Sequence, residues 1–280
     1  MLKSLDDDSH VATRIAQYEA LSNGKGIQIA KQLVLSKIEG QNWVLNKYGL
    51  RIPNMNIPQR VENLESDSLQ DLRLRLTGLE GKFSDMYFKQ IFSLTPEDLR
   101  PAERKTFQAY DGINNIFNLA YEALSWRVHR ALINAKLEPY LGFLHSLQES
   151  KPSLVCDFIE LYRYLIDDFV IQYCQELKKR DFSVKTAILS RKKIGKREYL
   201  DDYNTKDLMS KLDEYFASKV NVPRIKFGNK QSIGSLMEEE AFLFAQFLRG
   251  EEKEWLPRIG VKTGGSIQGD NRLMARVRPC

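Results

Sequence analysis

Apolar residues recur through this chain at the spacing of one helix face. In "GIQIAKQLVLSKIEGQNWVLNKYGL" they fall at Ile27, Ala30, Leu33, Val34 and Ile38, three and four apart, which a 3.6-residue period gathers into a single stripe. The same period runs through "ATRIAQYEALSN", through "LQDLRLRLTGLEGKFSDMYFKQIF" from Leu69, and through "GINNIFNLAYEALSWRVHRALINAK". It returns from about Pro152 to Lys179, in "TKDLMSKLDEYFASKV" and in "SIGSLMEEEAFLFAQFLRG". No convincing run of strand alternation and no fixed-period repeat stands beside it. The expected fold class is all-α or mainly α, a multi-helix domain over residues 1–259 followed by a Gly-rich, basic and mobile tail over 260–280.

Loops separate these segments. Pro53 and Pro58 mark "RIPNMNIPQR" as a loop, and Pro96 and Pro101 do the same for "SLTPEDLRPAERKTF". Gly78 and Gly81 suggest a bend or a junction of two helices. The most basic stretch, "SVKTAILSRKKIGKREYL", reads by itself as a solvated loop.

A length of 280 residues, 42% of them hydrophobic and 28% charged, suits a soluble globular protein able to bury a core. The net charge of +5 permits a polyanionic partner without requiring one. No apolar run is long enough to cross a bilayer, and "MLKSLDDDSH" lacks the apolar core of a secretory signal. Cys156, Cys174 and Cys280 form no C-x-x-C pair; they read as reduced thiols of a cytoplasmic protein. The phosphate-binding, dinucleotide, serine-hydrolase and zincin motifs are all missing from the sequence.

Chemistry concentrates in "YLGFLHSLQESKPSLVCDFIELYRYLIDDF". Asp157 and Glu160 are three apart, so on a helix they share a face, while Leu154, Phe158, Leu161 and Leu165 cover the adjoining one. A hairpin through "SLQESKP" can bring His145 to face Glu160. One imidazole with carboxylates suits Mn²⁺, or Mg²⁺ with waters retained. A lone histidine beside two acids is more often a salt-bridged structural group. A third donor comes from Glu80, which stands beside the apolar face of Leu79, Phe83, Met86 and Tyr87. Gly81 follows it, a costly residue in a helix unless a backbone or ligand approaches closely. Glu80 as an ordinary exposed helix residue fits the spacing equally well. His129 reads as a packed or surface histidine, His10 lies in a tail-like start, Asp6 to Asp8 read as a solvated acidic run, and Asp167 with Asp168 as the polar edge of a helix.

These segments taken together resemble the CRISPR-associated Cas-one family, the integrase that inserts spacers into CRISPR arrays. "RIAQYEAL" and "AKQLVLSKIEGQ" are similar to its R-x-x-Q-Y and K-I-x-N-Q motifs, with Gly40 in the place of Asn. "LEGKFSDMYF" resembles E-G-x-x-x-x-x-Y-F, and "DGINNIFNLAYEAL" resembles D-x-x-N-x-x-L-x-x-x-Y-x-x-L. "LEPYLGFLH", "PSLVCDFIELYR", "GKREYL" and "EEEAFLFAQFLRGE" continue the likeness in order, from about Arg14 to about Trp255.

The resemblance implies a catalytic metal triad of Glu80, His145 and Glu160 binding Mg²⁺ or Mn²⁺, with Asp157 as a supporting acid. It implies spacer integration by 3′-OH attack on a phosphodiester, endonuclease activity on branched DNA, and loss of activity when His145 is protonated. Arg163, Arg191, Lys192, Lys193, Lys196, Arg197, Arg224 and Lys226 are the expected DNA contacts. The implied partners are spacer and repeat DNA, the small ferredoxin-like Cas-two protein and a second copy of the chain, with no membrane. The family's helical domain follows a β-rich dimerisation domain, whereas this chain starts at the helical domain, and the expectation is a truncated product, a wrongly assigned start or a natural variant. The alternatives are a non-catalytic DNA-binding helical module and a transposon-borne integrase or nuclease relative.

Overall fold

Side-chain caps fix where two of the long helices begin. Ser68 accepts from the Asp71 N–H at the start of α4 (Leu69–Phe92), and Asp111 accepts from the Asn114 N–H at the start of α5 (Gly112–Asn134). A computed structural model describes residues 9–190, 193–221, 230–259 and 262–263. Before α4 come α1 (Ser9–Glu19), α2 (Lys25–Lys47) and the short α3 (Ile57–Glu62). After α5 come α6 (Ser153–Ile159), α7 (Arg163–Cys174), α8 (Asp202–Ala217) and α9 (Ile233–Arg249). The architecture is mainly α, as the helical period predicts.

The apolar stripes meet in one core. α2 lies against α4 and α7, and α5 lies against α6, α7 and α9. Ile29, Leu33, Val34 and Ile38 of α2 are buried there with Leu76 and Tyr87 of α4, Phe117 and Leu124 of α5, and Phe169 of α7. α2, α4, α5 and the pair α6–α7 therefore form the frame on which polar groups can be held. Among the described residues no helix is long and apolar enough to cross a membrane.

Four expectations change. Pro58 does not keep its segment a loop: it occupies the first turn of α3, where a missing N–H costs nothing. α4 runs through Gly78 and Gly81 without a junction, and a Cβ at either glycine would meet no protein atom. No described residue of this chain makes the close approach expected at Gly81.

The helix expected over about 152–179 is two helices. Glu160 follows the end of α6, and Tyr162 takes φ −123° and ψ −5° before α7 starts at Arg163. The amides of Glu160, Leu161 and Tyr162 bond three residues back, to Asp157, Phe158 and Ile159, so the chain tightens there. No Gly or Pro announces the break. Leu161 and Tyr162 are both buried, and their packing overrides the local preference.

The basic segment taken for a loop is a hairpin. β1 (Phe182–Ser190) and β2 (Lys193–Leu200) pair antiparallel, with Phe182 opposite Leu200 and a register shift between Ile188 and Ser190. Phe182 packs on Gly112 of α5, and the Glu198 N–H donates to the Tyr110 carbonyl at 2.8 Å. Val184 and Ile194, 58% and 71% exposed, face outward, so period-two apolar residues do not mark a buried face here.

A small sheet of β3 (Lys219–Asn221), β4 (Lys230–Ser232) and β5 (Lys262–Thr263) closes the described chain, in the order β4-β3-β5. Lys262 and Thr263 fall within the segment expected as a tail; residues 260, 261 and 264–280 lie outside the described residues. Arg191, Lys192, Arg224 and Lys226 do too, as do the side chains of His10 and Lys193.

Candidate metal centre

Glu80 and Glu160 meet at one lysine, and His145 lies within electrostatic reach of Glu160. Glu80 comes from the middle of α4, Glu160 from the break between α6 and α7, and His145 from the loop that enters α6. That loop is anchored from four sides. The Gln17 side chain donates to the carbonyls of Glu138 and Leu141 at 3.0 and 2.9 Å. Arg73 of α4 donates to the carbonyls of Phe143 and Gly142 at 2.7 Å each. The Ser153 hydroxyl accepts from the Gly142 N–H at 2.9 Å.

Asp157 supplies the fourth anchor. Its carboxylate accepts the backbone N–H groups of Phe143, Leu144 and His145 at 2.5, 3.1 and 2.8 Å. Its Oδ1 also lies 2.7 Å from His145 Nδ1. A carboxylate only accepts, so the proton in that pair sits on Nδ1, and in the neutral ring Nε2 is then the nitrogen with the lone pair. Gly142 has no room for a side chain, because a Cβ there would stand 2.7 Å from the Ser153 backbone and 2.9 Å from Asp157 Oδ2. His145 Nδ1 thus pairs with Asp157 of α6, and Asp157 and Glu160, which follows the end of that helix, do not act as one face.

Glu160 turns elsewhere. Its Oε1 accepts from the Arg163 guanidinium at 2.8 Å, and its Oε2 lies 2.9 Å from the ammonium of Lys37 on α2. The same ammonium binds Glu80 Oε1, which also accepts from the Ser84 hydroxyl at 3.3 Å. The side chains of Lys37, Glu80 and Glu160 are only 8%, 17% and 4% exposed, so the cation is shared by two acids largely out of water. Burial would raise the Glu160 carboxyl, but Arg163 and Lys37 outweigh it and pull it down to about 2. A protonated His145 ring would pull it in the same direction.

Behind Glu160 the ion pair continues into the core. Arg163, expected among the DNA contacts, lies with its guanidinium 4.4 Å from the centre of the Tyr121 ring and bonded to Glu160, so its charge is directed inward. Tyr121 of α5 and Tyr87 of α4 both donate to Asp167, Tyr87 at 2.7 Å. Asp168 accepts from Lys47 and Tyr48 at 2.7 and 2.8 Å. Asp167 and Asp168, read from sequence as surface groups, are therefore both buried. Burial pushes the Asp167 carboxyl up, against the pull of Arg163 and the two tyrosines.

Sequence reasoning passed over Lys37 and this tyrosine–aspartate network. The available signal was a lysine on the buried stripe of α2, one residue before Ile38, where a charge needs a partner. Of the expected cations on the hairpin, Lys196 stands exposed opposite Thr186, and Arg197 pairs in register with Lys185.

The donor set suits a hard divalent ion in kind: two carboxylates, and an imidazole whose Nε2 keeps a lone pair. Glu160 Oε2 is buried without a hydrogen-bond partner, since the Lys37 ammonium stands close to it but outside hydrogen-bond geometry. Yet among the described residues no three Asp, Glu, His or Cys groups stand close enough together to form a ready metal site. Lys37 stands between two of the three expected ligands.

Residues 2–205 match the family model described as CRISPR associated protein Cas1. A CRISPR-associated endonuclease Cas1 of Korarchaeum cryptofilum is 26% identical over 265 residues, covering 88% of this chain and 73% of that protein. In two further Cas1 relatives the match takes in only 47% and 62% of their length, so the chain spans less than two thirds of those proteins. Among solved structures, a casposase bound to integration product superposes with a TM-score of 0.74 at 19% identity, over 91% of this chain and 69% of that one. A chain of a partial Cas6-RT-Cas1–Cas2 complex does so with 0.71 at 18% identity, over 92% and 76%. At such identities the two structures speak to the fold.

Proposed function

The chain belongs to the CRISPR-associated Cas1 family, and on that premise we propose that it is a metal-dependent DNA integrase and endonuclease of CRISPR adaptation. The observation that carries this reading is the convergence of Glu80 and Glu160, from separate helices, on one buried cation position. An imidazole oriented by Asp157 lies within electrostatic reach of Glu160.

In this reading Glu80, Glu160 and Nε2 of His145 hold Mg²⁺ or Mn²⁺. When bound, the ion polarises the scissile phosphate and favours the ionised form of the attacking hydroxyl. The chain's own residues set the geometry. Asp157 keeps the Nδ1 tautomer, so Nε2 is a donor of electrons rather than of a proton. Arg163 holds one oxygen of Glu160, leaving the other for the ion.

The reaction is a transesterification. A bond forms between phosphorus and the incoming 3′-oxygen, the bond to the 3′-oxygen of the cut strand breaks, and the attacking hydroxyl's proton passes by way of solvent to that leaving oxygen. The hairpin cations Lys193, Lys196 and Arg197 track phosphates, which makes binding salt-sensitive. The partners in this reading are spacer and repeat DNA, the Cas2 protein and a second copy of the chain. The likeness to a casposase bound to integration product and to a Cas1–Cas2 complex supports the first two. Such work on intracellular DNA, with Cys156 and Cys174 as free thiols, belongs in the cytoplasm.

The test replaces Glu80, His145 and Glu160 singly by Ala. Each variant is expected to lose Mn²⁺-dependent strand transfer and branched-DNA cleavage while keeping its DNA affinity. DNA binding by the unaltered chain without any strand transfer would instead identify a non-catalytic DNA-binding module. Full activity in all three variants would remove the triad.

A further inference from the structure

Among the described residues Lys37 is the one group that touches both Glu80 and Glu160, and nothing in the reaction just described uses it. We propose that Lys37 is a built-in counter-cation: it holds the two acids together in the metal-free protein and is displaced when a divalent ion enters. The inference rests on the metal-binding reading above and adds to it how the site is kept assembled before metal arrives.

Two carboxylates drawn to one point in a poorly hydrated place repel each other, and the repulsion is strong where the dielectric is low. Glu80 and Glu160 come from elements 80 residues apart in sequence, so without a cation nothing obliges both to point inward. Lys37 supplies the charge from a third element, α2. Gln41, one turn further along α2, donates to the Ser84 hydroxyl at 3.3 Å, and Ser84 donates to Glu80. This registers α2 against α4 at the position of the lysine.

The chemistry of the two cations at Glu160 differs in the way that displacement needs. Arg163 is locked: it bonds Oε1 and lies on the Tyr121 ring, and a planar fork in such a setting is not easily moved. Lys37 is a point charge on a flexible four-carbon stem. It neutralises Oε2 by proximity without a hydrogen bond of proper geometry. The oxygen left without a good donor is the one shared with Glu80 through the lysine, so an entering cation would replace Lys37 and leave Arg163 in place.

Displacement makes the ammonium and the ion competitors for one position. Lys37→Met keeps a stem of similar length and removes the charge. It is expected to bind Mn²⁺ about tenfold more tightly than the unaltered protein in titration calorimetry. Its melting temperature in EDTA should be lower, and Mn²⁺ should raise it by a larger increment. Because the variant leaves the two acids without their shared cation and could fail to fold, a second measurement uses the unaltered full chain. Acetylation of Lys37 by a small amine-reactive reagent, followed by mass spectrometry, should be slow in EDTA and several-fold faster at saturating Mn²⁺.

Mn²⁺ binding by the unaltered protein with equal or weaker binding by Lys37→Met, or with no change in Lys37 acetylation, would overturn the role of Lys37 while leaving the metal site standing. No Mn²⁺ binding by the unaltered protein would overturn the metal reading and the displacement with it.

Discussion

The imidazole Nδ1 of His145 lies 2.7 Å from Oδ1 of Asp157, and the same carboxylate gathers the backbone N–H groups of residues 143 to 145. One buried acid therefore sets both the path of the loop and the tautomer of its histidine.

Asp157→Asn keeps the shape of the side chain but turns one accepting oxygen into an NH₂ that faces backbone donors. A buried N–H left without an acceptor costs about 1–3 kcal/mol, and the three amides cannot all be satisfied by the remaining oxygen. We expect a loss of about 2–3 kcal/mol in urea denaturation of the metal-free protein, with weaker Mn²⁺ binding because the ring is no longer held. A change below about 0.5 kcal/mol, within the range of ordinary surface substitutions, would mean that the loop is held by Gln17, Arg73 and Ser153 alone.

Gly40 stands where the family motif has Asn, and the structure gives the reason. A Cβ at this position would come within 2.6 Å of the Tyr164 ring, which also meets Trp43 edge-on at 5.4 Å. Gly40→Asn should destabilise the fold by about 1–3 kcal/mol through overpacking. Adding Tyr164→Ala should reduce that increment, because the clash is with the ring. A double-mutant cycle showing purely additive losses would place the strain elsewhere.

Glu160 links stability to acid pH. Its folded value of about 2 is below the unfolded value of about 4.3, so the folded state binds fewer protons. The stabilisation is fully present above that unfolded value and is lost as pH falls through the folded one. Asp167 works in the opposite sense: burial raises it, so its ionisation lowers stability as pH rises from about 3.9. Comparing the denaturation midpoints of the unaltered protein and Glu160→Gln from pH 2 to 5 isolates the first effect. The unaltered protein should show the steeper decline towards pH 2, and parallel curves would count against the ion-pair assignment.

Tyr87 donates to Asp167 at 2.7 Å in the core, joining α4, which carries Glu80, to α7, which carries Arg163. Tyr87→Phe keeps the ring and removes the donor. The expected loss is about 1–2 kcal/mol, read from urea denaturation. Phe should leave amide exchange of α5 unchanged relative to global stability, because Tyr121 keeps its own bond to Asp167. Selective loosening of α5 would show that the two tyrosines act as one unit.

How much of this was legible varied from residue to residue. The stripe from Ile27 to Ile38 announced α2 because burial of one helix face leaves a periodic trace in the sequence. The break at Glu160 left no trace, since neither Gly nor Pro marks it and the packing of Leu161 and Tyr162 decides it. The hairpin over 182–200 was hidden because its charges are those of a solvated loop and its outward apolar residues do not cover a core. Asp167 and Asp168 looked like a polar helix edge, and only the tyrosines arriving from α2, α4 and α5 show that they are buried.

For the site itself, the sequence by itself determined the residue types: a helical chain with Glu80, His145, Asp157 and Glu160 in the order that resembles a Cas1 enzyme. Tertiary structure decided their partners. Spacing of three suggested that Asp157 and Glu160 act together, but one turns to a backbone loop and the other to Lys37 and Arg163. Periodicity records which side of a helix is covered, a property of nearest neighbours in one element. Which charges meet across α2, α4 and the α6–α7 break depends on how those elements pack, and a buried charge takes whichever partner that packing brings within reach.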